Sequence, residues 1–593
     1  MKSTSPVFLA TLSMAMSLPV IAEEQSPIIV TATRTAQTVD DSLASVTVIT
    51  AEQIKQQQPN DLRDLLSSIS GIDMTNSGGA GKATSMFMRG TSSSHVLVMI
   101  DGIKVGSATS GSIAFQHIPV NQIERIEIVR GPRSSLYGSE AVAGVIQIFT
   151  KKGTAEEQAN LEIGYGSFAT KKISAGMSGT SGKTTYSINA NHLKTNGFNA
   201  RNDTETDNDG YNNNSVTFNV SHEISKTSSL QLNTMRASGR TAFDGFYNNN
   251  DFVQQTTGLQ YTVSPLANWN MKINASASKD ESDNFSGSTF QTQYNTTRTN
   301  YSWQNDINIG AIQLLTFGVD FQNDKVDSTT TYNETSRDNT GVFIQHQWNG
   351  ENNDLQTALR HDNNQAFGAN NSGNIAWGHN FANKMRLITS YGTAFKAPTF
   401  NDLYWPDTGS GGGDPTLKPE KSETAEIELR NVHSWGKWSV SAYNTQIDNL
   451  ISGWPPANLN KAEINGFEIR LNAKIAGWDT QTEVSLLDPR DKATNKILQR
   501  RSKKSLRIDM DKTSGQWSTG LSFIGQGYRY DDTANANKIS GYGIINLRAS
   551  YAVSKKVSIK WKIENILDKE YETALNYNNA GRSGYISVVY QGF

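Results

Sequence analysis

The chain has 593 residues, a formal net charge of −2 and 19% charged residues, so it carries no excess basic charge for binding nucleic acid. It contains no cysteine, which excludes a disulfide framework, thiolate chemistry and cysteine-ligated metal sites. Its length suffices for several soluble domains or for one very large β-barrel. Asn, Ser, Thr and Gly are abundant after about residue 150, but 22 Phe, 20 Tyr and 11 Trp argue against disorder.

Residues 1–22 have the pattern of a secretory signal peptide. Lys2 supplies the positive start, residues 6–18 form the apolar stretch, and a small-residue cleavage site ends at Ala22. No later run of about 18 apolar residues follows, so we expect no membrane-spanning helix. The mature protein is therefore predicted to be exported, either as a periplasmic protein or as a barrel in the outer membrane.

Residues 36–152 are predicted to form a small α/β domain. In the stretch TAEQIKQ, Thr50 caps a helix and Gln53 reaches back to it, which makes a capping box. The stretch NDLRDLLSSISG repeats Leu and Ile at helical spacing and ends at a glycine. Asp101 and Gly102 lie between two apolar runs, which indicates a strand pair joined by a tight turn.

Residues 157–593 are predicted to form strands only. The stretch KKVSIKWKIEN places apolar side chains on one face and polar ones on the other, and IINLRASYAV, SLRIDM and TAEIELR repeat this pattern. A soluble sandwich alternates in the same way, but here the pattern recurs to the end of the chain without helical stretches between. That arrangement is typical of a barrel with a lipid-facing apolar surface and a wet lumen. About 22 strands of about 20 residues each, with half of the flanking loops, would account for the length.

An acidic stretch, RNDTETDNDGYNNN, lies early in this region. Carboxylates alternate along it at Glu205, Asp207 and Asp209. Such a run is ordinarily a solvated surface loop, and it is not an EF-hand, because counting from Glu205 puts Val216 where a bidentate Glu is required. Ligands for a hard cation could still converge if a second loop contributed. The stretch TAFDGFYNNNDF offers two such ligands, Asp244 and Asp251.

Two stretches of the N-terminal domain, MRGTSSSHVLVMIDGIKV and IERIEIVRGPRSSLYGSEAVAGVIQIFTKKG, closely resemble the plug of the TonB-dependent outer-membrane receptor family. The stretches YGTAFKAPTFNDLY, GDPTLKPEKSETAEIEL and ENILDKEYET are similar to barrel signatures of that family. The resemblance implies an all-β transmembrane barrel of about 22 antiparallel strands with an α/β plug in its lumen. It implies that the protein is a monomer in contact with the lipids of a Gram-negative outer membrane. It also implies that the protein imports a substrate actively and is not an enzyme. The proton motive force of the inner membrane would supply the energy through TonB.

Residues 23–35 are similar to the segment that carries the TonB box in this family. The matching positions are Pro27, Ile28, Ile29, Val30, Thr31 and Ala32. An apolar, β-branched stretch could also be an ordinary edge strand of the plug. Its position just after the signal peptide favours a segment that adds as an extended strand to the sheet of a partner, which the resemblance implies is TonB.

Within the family the chain most resembles the cobalamin receptors, on the plug stretch NSGGAGKATSMFMRGTSSSHVLVMIDG, the short barrel and the acidic loop. Two loops of small polar residues, 76–85 and 106–113, are the expected substrate floor, although by sequence they could be merely flexible loops. Cobalamin is edged with amides, which neutral groups suit better than charges. The resemblance carries over the contact positions Ala83, Ser85, Ser92, Thr109, Ser110 and Arg500, with Arg501 as the alternative to Arg500.

The cobalamin-receptor branch also implies structural calcium in the outer loops. The positions carried over are Asn199, Glu205, Asp207, Asp209, Phe243 through its carbonyl, Asp244 and Asp251. Asn199 stands where an Asp would be expected. A ferric siderophore receptor would share every gross feature of this chain, whereas a haem receptor is disfavoured because no histidine lies between Phe395 and Leu417. A hydrolase would need a Ser/His/Asp motif, which does not appear, and a passive porin would need neither a TonB box nor a plug.

Overall fold

A computed structural model of the chain describes residues 29–30, 34–202, 205–407, 409, 411–458 and 461–592. The predicted signal peptide, residues 1–22, lies outside the described residues. The same holds for four predicted TonB-box positions, Pro27, Ile28, Thr31 and Ala32.

The N-terminal part of the chain folds into a mixed sheet with short helices against it. Its strands are β1 Ile29–Val30, β2 Gln37–Thr38, β3 Val46–Ile49, β4 Ile72–Asn76, β5 Thr84–Met88, β6 Val96–Ile100, β7 Ile103–Val105, β8 Ile123–Arg130 and β9 Gly144–Thr150. Its helices are α1 Ala51–Gln57, α2 Leu62–Leu66 and α3 Ser134–Tyr137, with 3-10 turns at Ser93–His95, Phe115–His117 and Val120–Gln122. The main sheet has the order β3-β8-β9-β6-β7, in which β6 and β9 run parallel. The pairs β1-β2 and β4-β5 stand apart from it.

Local sequence signals set several of these elements, as predicted. At the start of α1, the Thr50 hydroxyl accepts from the N–H of Gln53, and the N–H of Thr50 donates to the Gln53 side chain at 2.9 Å. Asp101 and Gly102 have φ of 49° and 82°, the left-handed pair that closes a two-residue hairpin between β6 and β7. The leucines of α2 are completely buried in the hydrophobic core under the sheet.

The remaining strands close into an antiparallel barrel. Its strands are β10 Gln158–Gly166, β11 Thr170–Ser181, β12 Thr184–Thr195, β13 Tyr211–Ser225, β14 Ser228–Ala242, β15 Asn249–Leu266, β16 Trp269–Ser286, β17 Thr289–Ile309, β18 Gln313–Ser328, β19 Ser336–Asn349, β20 Asn353–Asn364, β21 Gly368–Asn380, β22 Met385–Lys396, β23 Glu420–His433, β24 Gly436–Asp448, β27 Ala462–Ile475, β28 Trp478–Asp491, β29 Lys504–Ser514, β30 Trp517–Gln526, β33 Tyr542–Ala552, β34 Val557–Glu564 and β35 Ser583–Gly592. The outer loops hold α4 Phe400–Tyr404 and the short pairs β25 Ile451–Ser452 with β26 Ala457–Asn458, and β31 Arg529–Tyr530 with β32 Lys538–Ile539. The ring is closed where β10 pairs with β35, and its 22 described strands confirm the predicted number.

Alternation along each strand separates a lipid face from a lumen face. In β10, the apolar Leu161, Ile163 and Tyr165 point outward and are exposed, while Asn160 and Glu162 point into the lumen. Such rows of outward apolar side chains form the belt that contacts lipid. No helix among the described residues is long and apolar enough to span a membrane.

The two ends of the barrel differ in loop length. At one end the strands join through short turns such as 226–227, and at the other through long loops such as 196–210, 397–419 and 565–582. In barrels of this class the short turns face the periplasm and the long loops face outward. The loops that carry the acidic stretch therefore lie at the outer end.

The N-terminal domain fills the lumen as a plug, as predicted. Ion pairs link it to the wall: Arg34 to Asp320 at 2.6 Å, Arg89 to Glu426 at 2.7 Å and to Glu468 at 3.1 Å, and Glu140 to Arg298 at 2.9 Å. Because the wall facing the plug is polar, the plug is held by charges and hydrogen bonds more than by apolar packing.

Candidate functional site

Two plug loops, residues 77–83 and 106–113, lie beneath the outer loops, and we refer to them as the floor loops. The first is held rigidly by Asn76, whose Oδ1 accepts from the N–H of Gly79 at 2.5 Å and whose Nδ2 donates to Thr84 Oγ1 at 3.0 Å. Within or beside this loop, Ala83 is exposed and Ser85 is half-buried. A small neutral surface is therefore presented in one conformation.

The second floor loop is held from above by α4 of the long loop 397–419. The carbonyls of Ala108 and Thr109 accept from the backbone N–H groups of Phe400 at 3.2 Å and Asn401 at 3.1 Å. The Thr109 side chain is buried and bonds to Ser107 at 2.8 Å, whereas Ser110 is exposed. Of these two predicted contact residues, only Ser110 offers its side chain to a ligand above the loop.

The remaining predicted contacts lie at the edge of this floor. Ser92 is half-buried and caps a 3-10 turn, where its N–H donates to the ring of His95. Arg500 is drawn to the outer loop by an ion pair with Asp531 at 2.7 Å. Arg501 instead donates to the carbonyl of Gly90 at 3.1 Å and to that of Thr91, so it is the one of the two arginines that contacts the plug.

Three of the predicted calcium positions converge. The carboxylates of Glu205, Asp207 and Asp244 each offer an oxygen, and these oxygens all lie within 4.8 Å of one another. Asp244 is buried at the base of the group, while Glu205 and Asp207 are exposed. A cluster of carboxylate oxygens suits a hard divalent cation such as calcium better than a soft one.

The other predicted calcium positions surround this group without joining it. The Asp209 carboxylate accepts from the N–H of Ala200 at 2.7 Å. Burial raises the pKa of Asp209 above its ordinary value; the N–H of Ala200 opposes this and the charge of Asp244 adds to it. Asn199 donates to the Glu205 carbonyl at 3.1 Å. The N–H of Phe243 donates to the carbonyl of Asn248, and Asp251 forms an ion pair with Arg240 on the outer face of the barrel.

Lys82 joins the first floor loop to the acidic loop. Its buried ammonium donates to the carbonyls of Ala80 at 3.0 Å and Asp209 at 3.1 Å, and to Thr241 Oγ1 at 3.3 Å. Burial lowers the pKa of Lys82 to about 8, although Asp209 and Asp244 oppose the shift. Lys82 is the charged residue of an otherwise neutral loop, but its partners lie too far away in the chain to be recognised from the local sequence.

Two family models match the chain. The model described as TonB dependent receptor-like, beta-barrel matches residues 167–566, and the TonB-dependent Receptor Plug Domain matches residues 38–145. The chain belongs to the TonB-dependent receptor family. Members of this family are outer-membrane receptors and transporters rather than enzymes, so the predicted outer-membrane location in a Gram-negative bacterium is confirmed.

The receptor is similar over 95% of its length to curated relatives. It is 34% identical over 583 residues to the "Vitamin B12 transporter BtuB" of Photobacterium profundum, with 95% of each chain covered. It is 30% identical over 593 residues to the protein of the same name from Vibrio vulnificus, again with 95% of each covered.

The receptor also resembles solved structures. A mutant ferric enterobactin receptor from Pseudomonas aeruginosa, in complex with enterobactin, gives a TM-score of 0.80 at 20% identity, covering 93% of this chain and 99% of that one. The siderophore receptor PirA from Acinetobacter baumannii gives 0.81 at 18% identity, covering 92% and 98%. At these identities the likeness establishes the fold alone.

The receptor's predicted TonB box is described only in part. Its residues 29 and 30 form β1, which pairs antiparallel with β2 through Ile29 opposite Thr38 and Val30 opposite Gln37. Arg34 follows, and its guanidinium pairs with Asp320 and lies 4.1 Å from the Phe343 ring centre. The segment is thus anchored to the wall at Arg34, and the described residues before it, Ile29 and Val30, pair with β2.

Proposed function

We propose that this receptor imports cobalamin across the outer membrane by TonB-dependent active transport. The observation that carries the proposal is the 34% identity, over 95% of the chain, to a relative named as a vitamin B12 transporter. That likeness extends through both plug and barrel, whereas the two siderophore receptors compared above are 20% and 18% identical to this chain. A ferric siderophore is therefore the alternative substrate, and the comparisons favour it less than cobalamin.

The chemistry of the floor supports this substrate. The floor loops offer hydroxyls and backbone groups, and their one charge, Lys82, is turned away into bonds with the wall. Neutral donors and acceptors match the amides that edge a corrin, at about 0.5–1.5 kcal/mol for each net hydrogen bond. The residues proposed to contact cobalamin are Ala83, Ser85, Ser92, Thr109, Ser110 and Arg500. Because the Thr109 side chain is buried, its contribution would be to hold the loop, and Arg501 is the better placed arginine toward the plug.

Calcium is proposed as a structural ion of the outer loops. Glu205, Asp207 and Asp244 form the centre of the proposed site, with Asn199, Asp209 and the Phe243 carbonyl as further candidate ligands. Asp251 would have to leave its ion pair with Arg240 to join them. When bound, the ion would neutralise the carboxylates and cross-link loop 196–210 to the loop after β14. The residues themselves already bring the two loops together, and Lys82 ties the same place to the plug.

The energy for transport is proposed to come from the inner membrane through TonB. A charge that crosses that membrane releases about 2.3 kcal/mol per 100 mV. In this proposal residues 1–22 are removed on export and residues 27–32 add as a strand to TonB. A pull on that strand would first act on the β1-β2 pair and then on the ion pair of Arg34. The force would then reach the plug, residues 36–152, while the barrel, residues 157–593, stays closed.

The proposal is tested by direct titration of the purified receptor. Cyanocobalamin and a ferric siderophore are each titrated in calcium-containing buffer, with binding followed by calorimetry. We expect saturable binding of cyanocobalamin at or below micromolar concentration and none of the siderophore. Binding of the siderophore with no response to cyanocobalamin would overturn the substrate assignment while leaving the family assignment intact.

A further inference from the structure

A cavity of about 390 Å³ lies between the plug and the part of the barrel where the first and last strands meet. On the plug side it is lined by α1 and the segment around residues 116–123, and on the wall side by β10–β13, β34 and β35. Thr170 and Thr195 line it near the outer rim, and Asn160 and Gln591 line it near the periplasmic ends of their strands. The cavity therefore extends along most of the height of the wall.

The upper end of this cavity reaches the candidate substrate floor. Ala80 and Gly81 of the first floor loop both line it, as does Tyr211 at the start of β13. Tyr211 lies directly over Gly81, where an added Cβ would come within 2.1 Å of the ring. A molecule that leaves the first floor loop along the wall would therefore enter this cavity beside Tyr211.

The lining of the cavity is mainly neutral and amide-rich. Its carboxamide side chains are Gln58, Asn60, Gln116, Asn121, Asn160, Asn191, Asn213 and Gln591. Among its charged groups, Lys172 is matched by Glu162 at 3.3 Å, and Lys562 by Glu564 at 2.5 Å. Amides of this kind can donate to and accept from the amide edge of a ligand.

Two half-buried lysines that line the cavity have no carboxylate partner among the described residues. Among the described residues, the ammonium groups of Lys151 on the plug and Lys560 on β34 have no hydrogen bond or ion pair. Burial lowers the pKa of Lys151, and although Glu162 opposes the shift, the charges of Lys172 and Lys560 add to it. An anion that entered the cavity would relieve this repulsion and gain charge-assisted hydrogen bonds.

The plug is held by different kinds of contact on this side and on the opposite one. Its ion pairs to β17, β18, β23 and β27 are largely buried, whereas at the cavity most contacts are neutral hydrogen bonds, such as Asn121 to Asn191 at 3.0 Å and Asn213 to the His117 carbonyl at 2.9 Å. The ion pair at the cavity margin, Asp64 with Lys562, is longer at 3.5 Å. Because buried ion pairs cost more to break than single neutral hydrogen bonds, a pulled plug separates first at the cavity.

We propose that this cavity is a transit site, in which the transported corrinoid is held by the amide lining and by Lys151 and Lys560 on its way to the periplasm. The inference rests on the proposed function, because cobalamin combines amide side chains with one phosphodiester anion. The cavity lies at the lower end of the range of about 300–1,000 Å³ in which pockets hold drug-sized ligands. It therefore accepts the larger corrinoid only after the plug has moved away from β10–β13.

A second cavity supplies the matched control. It has about 320 Å³, lies against β14–β18 in the periplasmic half of the barrel, and is not lined by either floor loop. Its lining includes a plug lysine, Lys152, a barrel lysine, Lys272, and a lumen-facing serine, Ser302. Paired substitutions in the two cavities therefore remove the same number of charges at two different places, although Lys152 is exposed and Lys272 pairs with Asp306 at 3.2 Å.

The charge test compares Lys151→Gln/Lys560→Gln with Lys152→Gln/Lys272→Gln. Equilibrium binding of cyanocobalamin to purified receptor is measured first, followed by uptake into energised cells at saturating cyanocobalamin. We expect unchanged binding in both variants, uptake slowed about tenfold in the first, and uptake near that of the unmodified receptor in the control, since one charge-assisted contact corresponds to about that factor. Equal uptake in the two variants, or weakened binding in the first, would overturn the transit site.

A steric test compares Ser587→Trp in the first cavity with Ser302→Trp in the second. We expect Ser587→Trp to bind cyanocobalamin normally but to block uptake, and Ser302→Trp to transport. Failure of the unmodified receptor to bind cyanocobalamin would overturn both the proposed function and this inference. Normal binding with transport by Ser587→Trp would reject the transit site and leave the proposed function standing.

Discussion

Arg89 is the residue that joins plug and barrel most firmly among the described contacts. Its side chain is 3% exposed, pairs with Glu426 and with the completely buried Glu468, and lies 4.2 Å from the Tyr443 ring centre. Burial by itself lowers the pKa of Arg89, but the two carboxylates outweigh it and raise the pKa well above its ordinary value. The Arg89 guanidinium therefore stays charged throughout the pH range in which the receptor works.

Removal of this arginine should loosen the plug. In Arg89→Met, the largely buried Glu426 would lose this countercharge and Glu468 would keep Arg130, at 3.9 Å; breaking a buried pair in this way costs about 3–5 kcal/mol. We expect the plug amides to exchange hydrogen faster while the barrel keeps its heat resistance in detergent. Arg582→Met, which removes an exposed pair with Asp568 on the barrel, is the control. Unchanged exchange in Arg89→Met would show that the pair does not hold the plug.

The carboxylates of the outer loops allow a test of calcium that does not depend on transport. Glu205→Gln/Asp207→Asn removes two of three converging charges, and fewer charged ligands weaken calcium binding, here by about tenfold or more. Calcium titration by calorimetry, with protease protection of the outer loops as a second readout, would measure the change. Asp327→Asn, an exposed acid elsewhere on the barrel, should leave both unaffected. Equal calcium affinity in the two variants would show that the acidic stretch is an ordinary surface loop and not a calcium site.

At the scale of elements, the described part of the N-terminal strand is short. It comprises Ile29–Val30, which pair with β2 before the chain is anchored at Arg34. A strand held by few backbone hydrogen bonds can exchange its partner for the edge of another sheet at small cost.

The variant Ile29→Pro tests this exchange, because proline removes the backbone donor and fixes φ. We expect normal cyanocobalamin binding, since the segment lies far from the outer loops, with uptake reduced to background. Ile29→Val, which keeps the donor and the β-branch, should transport normally. Full uptake by Ile29→Pro in whole cells would reject the assignment of this strand as part of the TonB box.

The second floor loop is an element whose position depends on α4. Ser110 is exposed above it, whereas Thr109 is fixed beneath α4. Ser110→Trp would place a ring in the space above the floor without disturbing the plug core. We expect cyanocobalamin affinity to fall about tenfold or more, as overpacking costs about 1–3 kcal/mol.

Titration of Ser110→Trp in detergent would be paired with Ser554→Trp, a substitution in an exposed turn between β33 and β34 at the opposite end of the barrel. The control should bind cyanocobalamin normally. Undiminished binding by Ser110→Trp would place the ligand away from this loop.

At the scale of the whole molecule, the barrel does not require the plug to close. Its ring of strand pairs is completed between β10 and β35, and no plug strand takes part in it. The lumen face is polar, so water can replace the plug there at little cost. Closure and plugging are therefore separable properties of the fold.

Deletion of residues 36–152 should accordingly yield an inserted, heat-resistant barrel that conducts ions permanently. Single-channel recording in planar bilayers would measure this, with the full-length receptor as the closed reference. A variant that inserts but stays closed would show that the outer loops seal the pore. A variant that fails to insert would show that the plug is needed to form the barrel.

The sequence alone determined the elements that depend on neighbouring residues. The alternation in β34, the capping box of Thr50 and Gln53, and the Asp101-Gly102 turn are each set within a few residues, so their prediction was confirmed. The number of strands followed from chain length because each strand must cross the same membrane thickness.

Only the tertiary structure decided which distant residues meet. It brought Asp244 to Glu205 and Asp207 while leaving Asp251 with Arg240, and it turned Arg501 rather than Arg500 toward the plug. These outcomes depend on the paths of long loops, for which local propensity offers many alternatives and which only contact with the plug and with other loops selects. The cavity beside Lys151 and Lys560 has the same origin, since it lies between two domains that meet only when the barrel has closed around the plug.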